Sequence, residues 1–104
     1  MSLRLPQNLS TELSVETGAS VLDAEILAEK AAALGRAGRR VQQRLEALAA
    51  FDGPADERLR LVLSAADAVY GFFVQRELCG LIKHDDVVAH YAIPGEVLAR
   101  IGAK

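Results

Sequence analysis

Cysteine and histidine are the side chains of this chain best suited to metal binding or nucleophilic catalysis, and they lie close together in its C-terminal third. With one neighbouring carboxylate the set is Cys79, His84, Asp86 and His90. Thiolate and imidazole bind zinc well, and Asp86 and His90 are four residues apart, so they would share a helix face. The spacing nevertheless matches no established metal pattern. We therefore predict no metal and no cofactor, with Cys79 as a buried thiol.

Catalysis by the same residues without a metal would need a Cys79 nucleophile activated by His84 or His90. One cysteine and two histidines are enough to suggest such a pair in any chain of 104 residues, so the pattern is weak. The sequence also contains no glycine-rich phosphate loop and no nucleophile elbow. An enzyme consequently ranks third among the functions that we consider.

A second concentration of distinctive residues is the stretch GRAGRRVQQR, residues 35 to 44, which contains four arginines. We call them the arginine face: Arg36, Arg39, Arg40 and Arg44. At about 100° per residue they centre on one side of a helix, opposite its apolar positions. We interpret them as a solvated surface. The alternative is a surface that binds an anion or a partner, since none of them has an acidic residue three or four positions away.

The composition argues against nucleic acid as a partner of the arginine face. The formal net charge is -2, whereas dedicated nucleic-acid binders are usually basic. No aromatic residue is interleaved among the arginines to stack on bases. We therefore expect no nucleic-acid partner for this surface.

Arg76 stands in an otherwise apolar part of the chain and continues an apolar helix stripe, so it should be at least partly buried. A buried arginine requires a carboxylate. The candidates are Glu77, Asp85 and Asp86, or a carboxylate of a second chain. We predict a structural ion pair that fixes the C-terminal tail against the rest of the fold.

The first long helix that positions these residues is predicted between Ser20 and Phe51, a stretch without proline and rich in strong helix formers. Ser20, with Asp23 three positions later, has the pattern of an N-cap followed by a carboxylate. Residues 1–19 are ambiguous and form either an N-terminal arm or a short helix. The helical domain then covers residues 20–104.

A second long helix follows the Gly53–Pro54 pair, in which glycine ends one helix and proline opens the next. It should run to about Leu78, with Gly80 as the residue that terminates it. The tail should hold two short helices, the first after Asp85 and the second after the last proline. The predicted fold class is all-α: a long antiparallel helical hairpin with short C-terminal helices.

The apolar residues of the first helix form a heptad seam like that of a coiled coil. The seam is Ala24, Leu27, Ala31, Leu34, Gly38, Val41, Leu45 and Leu48. Its small residues would allow a partner helix to approach closely. The second helix is apolar on nearly all sides, and one antiparallel helix covers only one of them. We predict that a second copy of the chain covers the rest in a homodimeric four-helix bundle; an unidentified protein partner is the alternative.

The segment VVAHYAIPGEVLARI, residues 87 to 101, has the apolar rhythm of a helix-turn-helix. Such a turn normally needs glycine at position 92, and Ala92 fits a positive φ poorly. The would-be recognition helix offers Arg100 and places Glu96 where phosphates would be repelled. We predict instead a pair of short helices packed as core. A DNA-associated regulator that uses this segment and the arginine face is the alternative function.

The sequence indicates a soluble cytoplasmic protein. Its single cysteine permits no disulfide within the chain, which fits a reducing compartment. The N-terminal residues contain no apolar run typical of a signal peptide. No segment approaches the roughly 18 uninterrupted apolar residues that a membrane span needs.

Three segments together resemble a known type of protein: LGRAG in the first helix, FFVQRELCGL at the end of the second, and HYAIPGEVLARIG in the tail. The combination is similar to a small family of bacterial all-helical proteins of unknown function, over about residues 20 to 102. The resemblance implies the all-helical fold and a bacterial source, and it carries no activity, ligand or catalytic residue. The expected function is a non-enzymatic structural or interaction module that acts through self-association.

Overall fold

The computed structural model describes the backbone of residues 7–102 and the side chains of residues 20–102. Four helices follow one another: α1 (Gln7–Ala50), α2 (Ala55–Leu78), α3 (Asp85–His90) and α4 (Gly95–Leu98). No strand occurs among the described residues, and the predicted all-α class is confirmed. The chain divides into two compact units, which we call unit 1 (Met1–Ala31) and unit 2 (Ala32–Lys104).

The N-terminal end of α1 differs from the prediction. The helix begins at Gln7, so Ser20 is an interior position and not an N-cap. Residues 7–19 contain no proline, and their one glycine, Gly18, costs a helix only about 1 kcal/mol relative to alanine. A local capping pattern is therefore overridden by a long run of residues that favour continued helix. The predicted boundary between residues 1–19 and the rest is not marked by any break in α1.

Within unit 2, α1 and α2 are antiparallel. Arg44 of α1 contacts Ser64 of α2, whereas Gly38, earlier in α1, lies beside Phe72, later in α2. Earlier residues of α1 thus contact later residues of α2, so the two helices run in opposite directions, as in the predicted hairpin.

The connection between α1 and α2 is compact because the Phe51 ring folds back over it. A Cβ atom at Gly53 would lie 2.6 Å from Cζ of Phe51, so a larger residue would clash with the ring. Glycine at this position leaves room for the ring, and it does not have the positive φ of the helix-terminating residue that we predicted. Pro54 occupies the N-cap of α2, and Asp56 and Glu57 fall in its first turn, where the helix dipole favours carboxylates.

The core of unit 2 joins both long helices and the tail. Its fully buried larger side chains are Val41, Val69 and Val97, one each from α1, α2 and α4. The other buried apolar residues are Ala37, Leu48, Val62, Ala65, Ala66, Ala68, Phe72, Val87 and Ile93. The tail therefore covers part of the apolar α2 surface that we predicted a second copy of the chain would cover.

The predicted heptad seam is buried only in its second half. From Leu34 to Leu48 its residues are buried or partly buried in the core of unit 2. The first three seam positions, Ala24, Leu27 and Ala31, are exposed, and Leu27 exposes 66% of its surface. A coiled-coil partner for that first half is not supplied by the described residues of the chain.

The turn between α3 and α4 contains a positive φ at position 92, a conformation that we expected alanine to fit poorly. Ala92 has φ +50°. The amide of Ile93 donates to the carbonyl of Val88, and the amide of Ala92 donates to that of Ala89, both at 3.1 Å. This pair of bonds ends α3 in a Schellman motif, normally built with glycine. Alanine is strained there, and the buried Ile93 side chain helps to hold the turn.

Candidate functional site

The corner between α2 and α3 is organised around Arg76, which is 7% exposed. Its Nη2 donates to the carbonyl oxygen of Lys83 at 2.8 Å and to Oδ1 of Asp86 at 3.3 Å. Its Nε donates to Nδ1 of His84 at 3.2 Å. Its guanidinium carbon also lies 5.9 Å from the centre of the Phe72 ring. One side chain therefore fastens the connection between the two helices to the end of α2.

His84 extends this network to Glu77. The Nε atom of an arginine carries a hydrogen and cannot accept, so Nδ1 of His84 must be the acceptor. In this geometry the ring hydrogen is on Nε2, which donates to Oε2 of Glu77 at 2.9 Å. The imidazole also stacks on Phe73, with ring centres 4.1 Å apart and planes 1° apart. Of the predicted ion-pair residues, Asp86 meets Arg76, Glu77 meets His84, and Asp85 is exposed.

The backbone after α2 brings these groups together. Gly80 has φ +85°, a conformation that strains residues with a side chain. The amide of Leu81 donates to the carbonyl of Arg76 at 2.9 Å, and that of Gly80 donates to Glu77 at 3.0 Å. This Schellman motif reverses the chain. Residues 83 and 84 consequently return alongside the arginine that binds them, and the predicted role of Gly80 is confirmed.

The geometry gives no support to catalysis by Cys79 and a histidine. Both ring nitrogens of His84 are engaged, so it cannot act as a base without breaking the network. His90 lies at the other end of α3 and contacts Tyr91 edge-on at 4.9 Å. Cys79 is partly exposed rather than buried, because it is the C-cap of α2 at the surface of unit 2. In the part of the chain that the structure describes, no cluster of three or more potential ligands could hold a metal ion.

The arginine face separates into two parts. Arg36, Arg39 and Arg40 are exposed. Arg44 is half-buried, and its Nη1 donates to the carbonyl oxygen and to Oγ of Ser64, each at 3.1 Å. The solvated-surface interpretation is therefore wrong for Arg44, which fastens α1 to α2. Arg39 and Arg40 form no ion pair with any residue in the described range.

A groove of about 600 Å³ opens between α1 and the α3–α4 turn. Its apolar lining includes Leu45, Leu48, Phe51, Tyr91 and Pro94, and its polar lining includes Gln42, Glu46, Arg58, His90 and Glu96. The volume is that of a small-molecule site. Its polar groups, however, mostly bind one another: Gln42 donates to Glu46 at 3.2 Å, and Arg58 is paired with Glu96. The groove therefore presents few unsatisfied groups to a ligand.

A two-bonded ion pair at the edge of this groove ties α4 to the beginning of α2. Nη1 of Arg58 lies 2.7 Å from Oε2 of Glu96, and Nη2 lies 2.6 Å from Oε1. The hydrogen bond from Arg58, with the attraction of its charge, lowers the pKa of Glu96 below its ordinary value. The same bond raises the pKa of Arg58. This carboxylate is thus committed to a partner within the fold.

The tail lacks the dimensions of a recognition helix. α4 has only four residues, Val97 is completely buried, and Glu96 is bonded to Arg58. A recognition helix has to place several side chains along base edges in the major groove. Here α4 packs on α2 as part of the core, which is the arrangement that we predicted for the two short helices.

Exposed apolar side chains gather in two places. In unit 1 they are Val21, Leu22, Ile26 and Leu27, which are 49, 60, 53 and 66% exposed. In unit 2 all but Leu59 follow the end of α2 and the corner after it: Tyr70, Val74, Leu78, Leu81 and Ile82. Single exposed apolar residues are ordinary, whereas groups of them mark interaction surfaces. None of the helices, over its described residues, combines the length and apolar character that crossing a bilayer requires.

Two features of the site were missed from sequence. His84 joins Arg76 to Glu77, and Arg58 pairs with Glu96 across 38 residues. No local pattern signals the second, because the partners meet only when α4 docks on α2. For the first, a signal was present: a buried guanidinium has five hydrogens to place, so one carboxylate could not satisfy it.

Comparison with known proteins gives a family and no activity. No curated protein and no solved structure matches the chain significantly. The sequence matches a family of unknown function along residues 1–104, the full length of the chain. This agrees with the resemblance carried by the three segments and extends it to the N-terminal residues. The chain therefore belongs to the family of unknown function DUF6665.

Proposed function

We propose that this protein is a non-enzymatic self-association module in which two copies cover each other's exposed apolar helix surface. The observation that carries the proposal is the stretch 20–31 of α1, where every side chain is exposed, among them Val21, Leu22, Ile26 and Leu27. Most helical stability in proteins comes from packing an apolar face, since short helices are marginal alone. A second copy brings the same surface, so one symmetric contact covers both.

The energies indicate how strong such a contact would be. Full burial of a valine, leucine or isoleucine side chain stabilises by about 1.5–3 kcal/mol. Val21, Leu22 and Ile26 lie within about 140° around α1, so one symmetric contact can cover six half-exposed side chains, which at about 1 kcal/mol each contribute roughly 6 kcal/mol. Association costs about 4–15 kcal/mol in lost translational and rotational freedom. These terms are of similar size, so a stable dimer needs further contacts beside the apolar ones.

The test is the molar mass in solution, by size exclusion with light scattering over a wide concentration range. We expect the wild type to approach the dimer mass as concentration rises. Leu22→Glu and Ile26→Glu should remain monomeric, because each would bury an unpaired carboxylate. Ser20→Glu adds the same charge to the same stretch without removing an apolar side chain, and should still dimerise. A wild type that is monomeric at every concentration would refute the proposal.

The alternative, a DNA-associated regulator, has one observation in its favour: Arg39 and Arg40 are exposed and pair with no residue that the structure describes. It predicts duplex binding that weakens steeply with salt and is lost in the Arg39→Ala/Arg40→Ala variant. Arg44 is left intact in this test because it bonds to Ser64. Absence of binding at low salt would end this alternative.

A further inference from the structure

We propose that the groove between α1 and the α3–α4 turn binds small organic cations, namely amines carried on an apolar ring or chain, and that Glu46 selects for their charge. All of its lining residues belong to unit 2, so the site is independent of the self-association proposed above. Its volume of about 600 Å³ falls within the range of small-molecule sites. The class of ligand follows from the apolar walls of the groove and from the few charges beside them.

The walls of the groove are apolar and only partly covered by the fold. Leu45 and Phe51 come from α1 and the connection after it, and Tyr91 and Pro94 come from the α3–α4 turn. Each of the four is half-buried. A ligand with an apolar body would remove more of their surface from water, which is favourable in proportion to the area covered.

The walls are held in place by contacts within the fold. The Tyr91 ring packs edge-on against Phe72 at 5.6 Å and against His90 at 4.9 Å. The ion pair between Arg58 and Glu96 ties α4 to α2 at the edge of the groove. Because these contacts already order the walls, a ligand would lose little affinity to ordering them.

The charges of the groove favour a cation. Arg58 is the only arginine or lysine among the lining residues, and both of its Nη atoms bind Glu96. Gln42 donates to Oε1 of Glu46 at 3.2 Å, and no cation in the described part of the chain pairs with this carboxylate. The groove therefore carries one unpaired carboxylate, which attracts an ammonium group and repels an anion.

His90 adds a second acceptor, from the end of α3. Its side chain is exposed and lines the groove, and its ring nitrogens have no hydrogen-bond partner among the described residues. An uncharged imidazole has one nitrogen that accepts a hydrogen bond. An ammonium group has three hydrogens to place, and Glu46 and His90 offer acceptors from two different helices.

Indole probes test the proposal in the full chain, because the protein contains no tryptophan and a bound indole can be excited without exciting tyrosine. Tryptamine, tryptophol and indole-3-acetate share the ring and carry an ammonium, a hydroxyl and a carboxylate. Fluorescence anisotropy at pH 8 measures their affinities where an ordinary imidazole is uncharged and an alkylamine is charged. We expect tryptamine to bind about threefold more tightly than tryptophol and about tenfold more tightly than indole-3-acetate, as one exposed ion pair implies.

Two pairs of variants locate the site. Glu46→Gln should reduce the affinity for tryptamine to that for tryptophol, whereas Asp67→Asn, at an exposed carboxylate outside the groove, should leave the preference unchanged. Ala49→Phe should abolish binding of all three probes by filling the groove, and Ala47→Phe, at an exposed position of α1 outside the lining, should not.

Three results would overturn the proposal: no binding of tryptamine at millimolar concentration, equal affinity for the three probes, or binding that survives Ala49→Phe. Equal affinity would mean that the groove takes apolar molecules without regard to charge. None of these results depends on the molar mass of the protein, so self-association stands or falls separately.

Discussion

Gly38 of α1 lies beside Tyr91 of the tail, and its replacement by alanine sets a packing cost against a gain in helix propensity. A Cβ atom at position 38 would lie 2.8 Å from Oη of Tyr91 and 3.5 Å from Cε1 of Phe72. Contacts to a Cβ atom are essentially never closer than 3.0 Å, so the tyrosine must move. Its ring packs edge-on against Phe72 at 5.6 Å and against His90 at 4.9 Å, so movement disturbs both contacts.

The expected magnitude follows from two opposing terms. Alanine is favoured over glycine inside a helix by about 1 kcal/mol. Overpacking a core typically costs about 1–3 kcal/mol. For Gly38→Ala we expect a net loss of about 1 kcal/mol. Gly71 in α2 is the matched control: nothing lies within 4 Å of its Cβ position, so Gly71→Ala should gain about 1 kcal/mol. Gly35→Ala, in the same helix as Gly38, meets only the flexible end of Arg39 at 3.5 Å and should also stabilise.

Urea unfolding followed by circular dichroism, at one protein concentration, measures these free energies when the m-value is unchanged. The two alanine variants at positions 38 and 71 should differ by about 2 kcal/mol. Tyr91→Phe should recover most of the loss in the Gly38→Ala background, because it removes the atom at 2.8 Å, and Tyr91→Phe alone serves as its reference. Equal stabilisation by both alanines would refute the reasoning, since Tyr91 would then not be held against α1.

Three further predictions concern the tail and its attachments. Ala92→Gly should raise stability by about 1 kcal/mol, because the left-handed conformation strains alanine and not glycine; an unchanged urea midpoint would contradict this. Glu96→Gln should destabilise at pH 7 and progressively less as the pH falls below 4.5. The hydrogen bond from Arg58 lowers the pKa of Glu96 from an ordinary 4.5, so the ionised carboxylate stabilises the fold above that value and this contribution is lost as the pH falls through the lower folded-state pKa; a cost that persists in acid would argue against the pair. Arg76→Gln should cost about 3 kcal/mol and Asp86→Asn less than about 1 kcal/mol. The costs differ because the Arg76 side chain is 9% exposed and the Asp86 side chain is 75% exposed. Equal losses of unfolding free energy in urea would show that the ion pair between them dominates, and not the bonds from Arg76 to the Lys83 carbonyl and the His84 imidazole.

The helix ends that were predicted correctly from the sequence are those where the shape of one residue, proline or glycine, determines the backbone conformation. Pro54 cannot continue a helix, and Gly80 takes a positive φ at no steric cost, so the bounds of α2 follow from local chemistry. Ser20 has no such constraint. A capping serine only offers the backbone an alternative hydrogen bond. The helix continues through Ser20 because the residues on both sides favour helix.

The candidate site shows a similar division. The burial of Arg76 could be predicted because helical periodicity places it on an apolar stripe. Its partners could not, because His84 and the Lys83 carbonyl reach it only through the chain reversal after α2. Arg44 was assigned to the solvated side although it lies only about 40° around α1 from the buried Leu48, so it flanks the core and its long side chain reaches Ser64.

Arg76 holds the α2–α3 corner through its main chain as well as its side chain. Its carbonyl oxygen accepts from the amides of Cys79 and Leu81, both at 2.9 Å, while its guanidinium binds the Lys83 carbonyl. The last turn of α2 cannot fray by itself, because loss of helix at this residue also withdraws the guanidinium from the connection. Amides on both sides of the corner should therefore exchange with solvent through one shared opening. We therefore expect the corner to open as one unit, so that a molecule that contacts the exposed Ile82 would meet a rigid surface rather than a hinge.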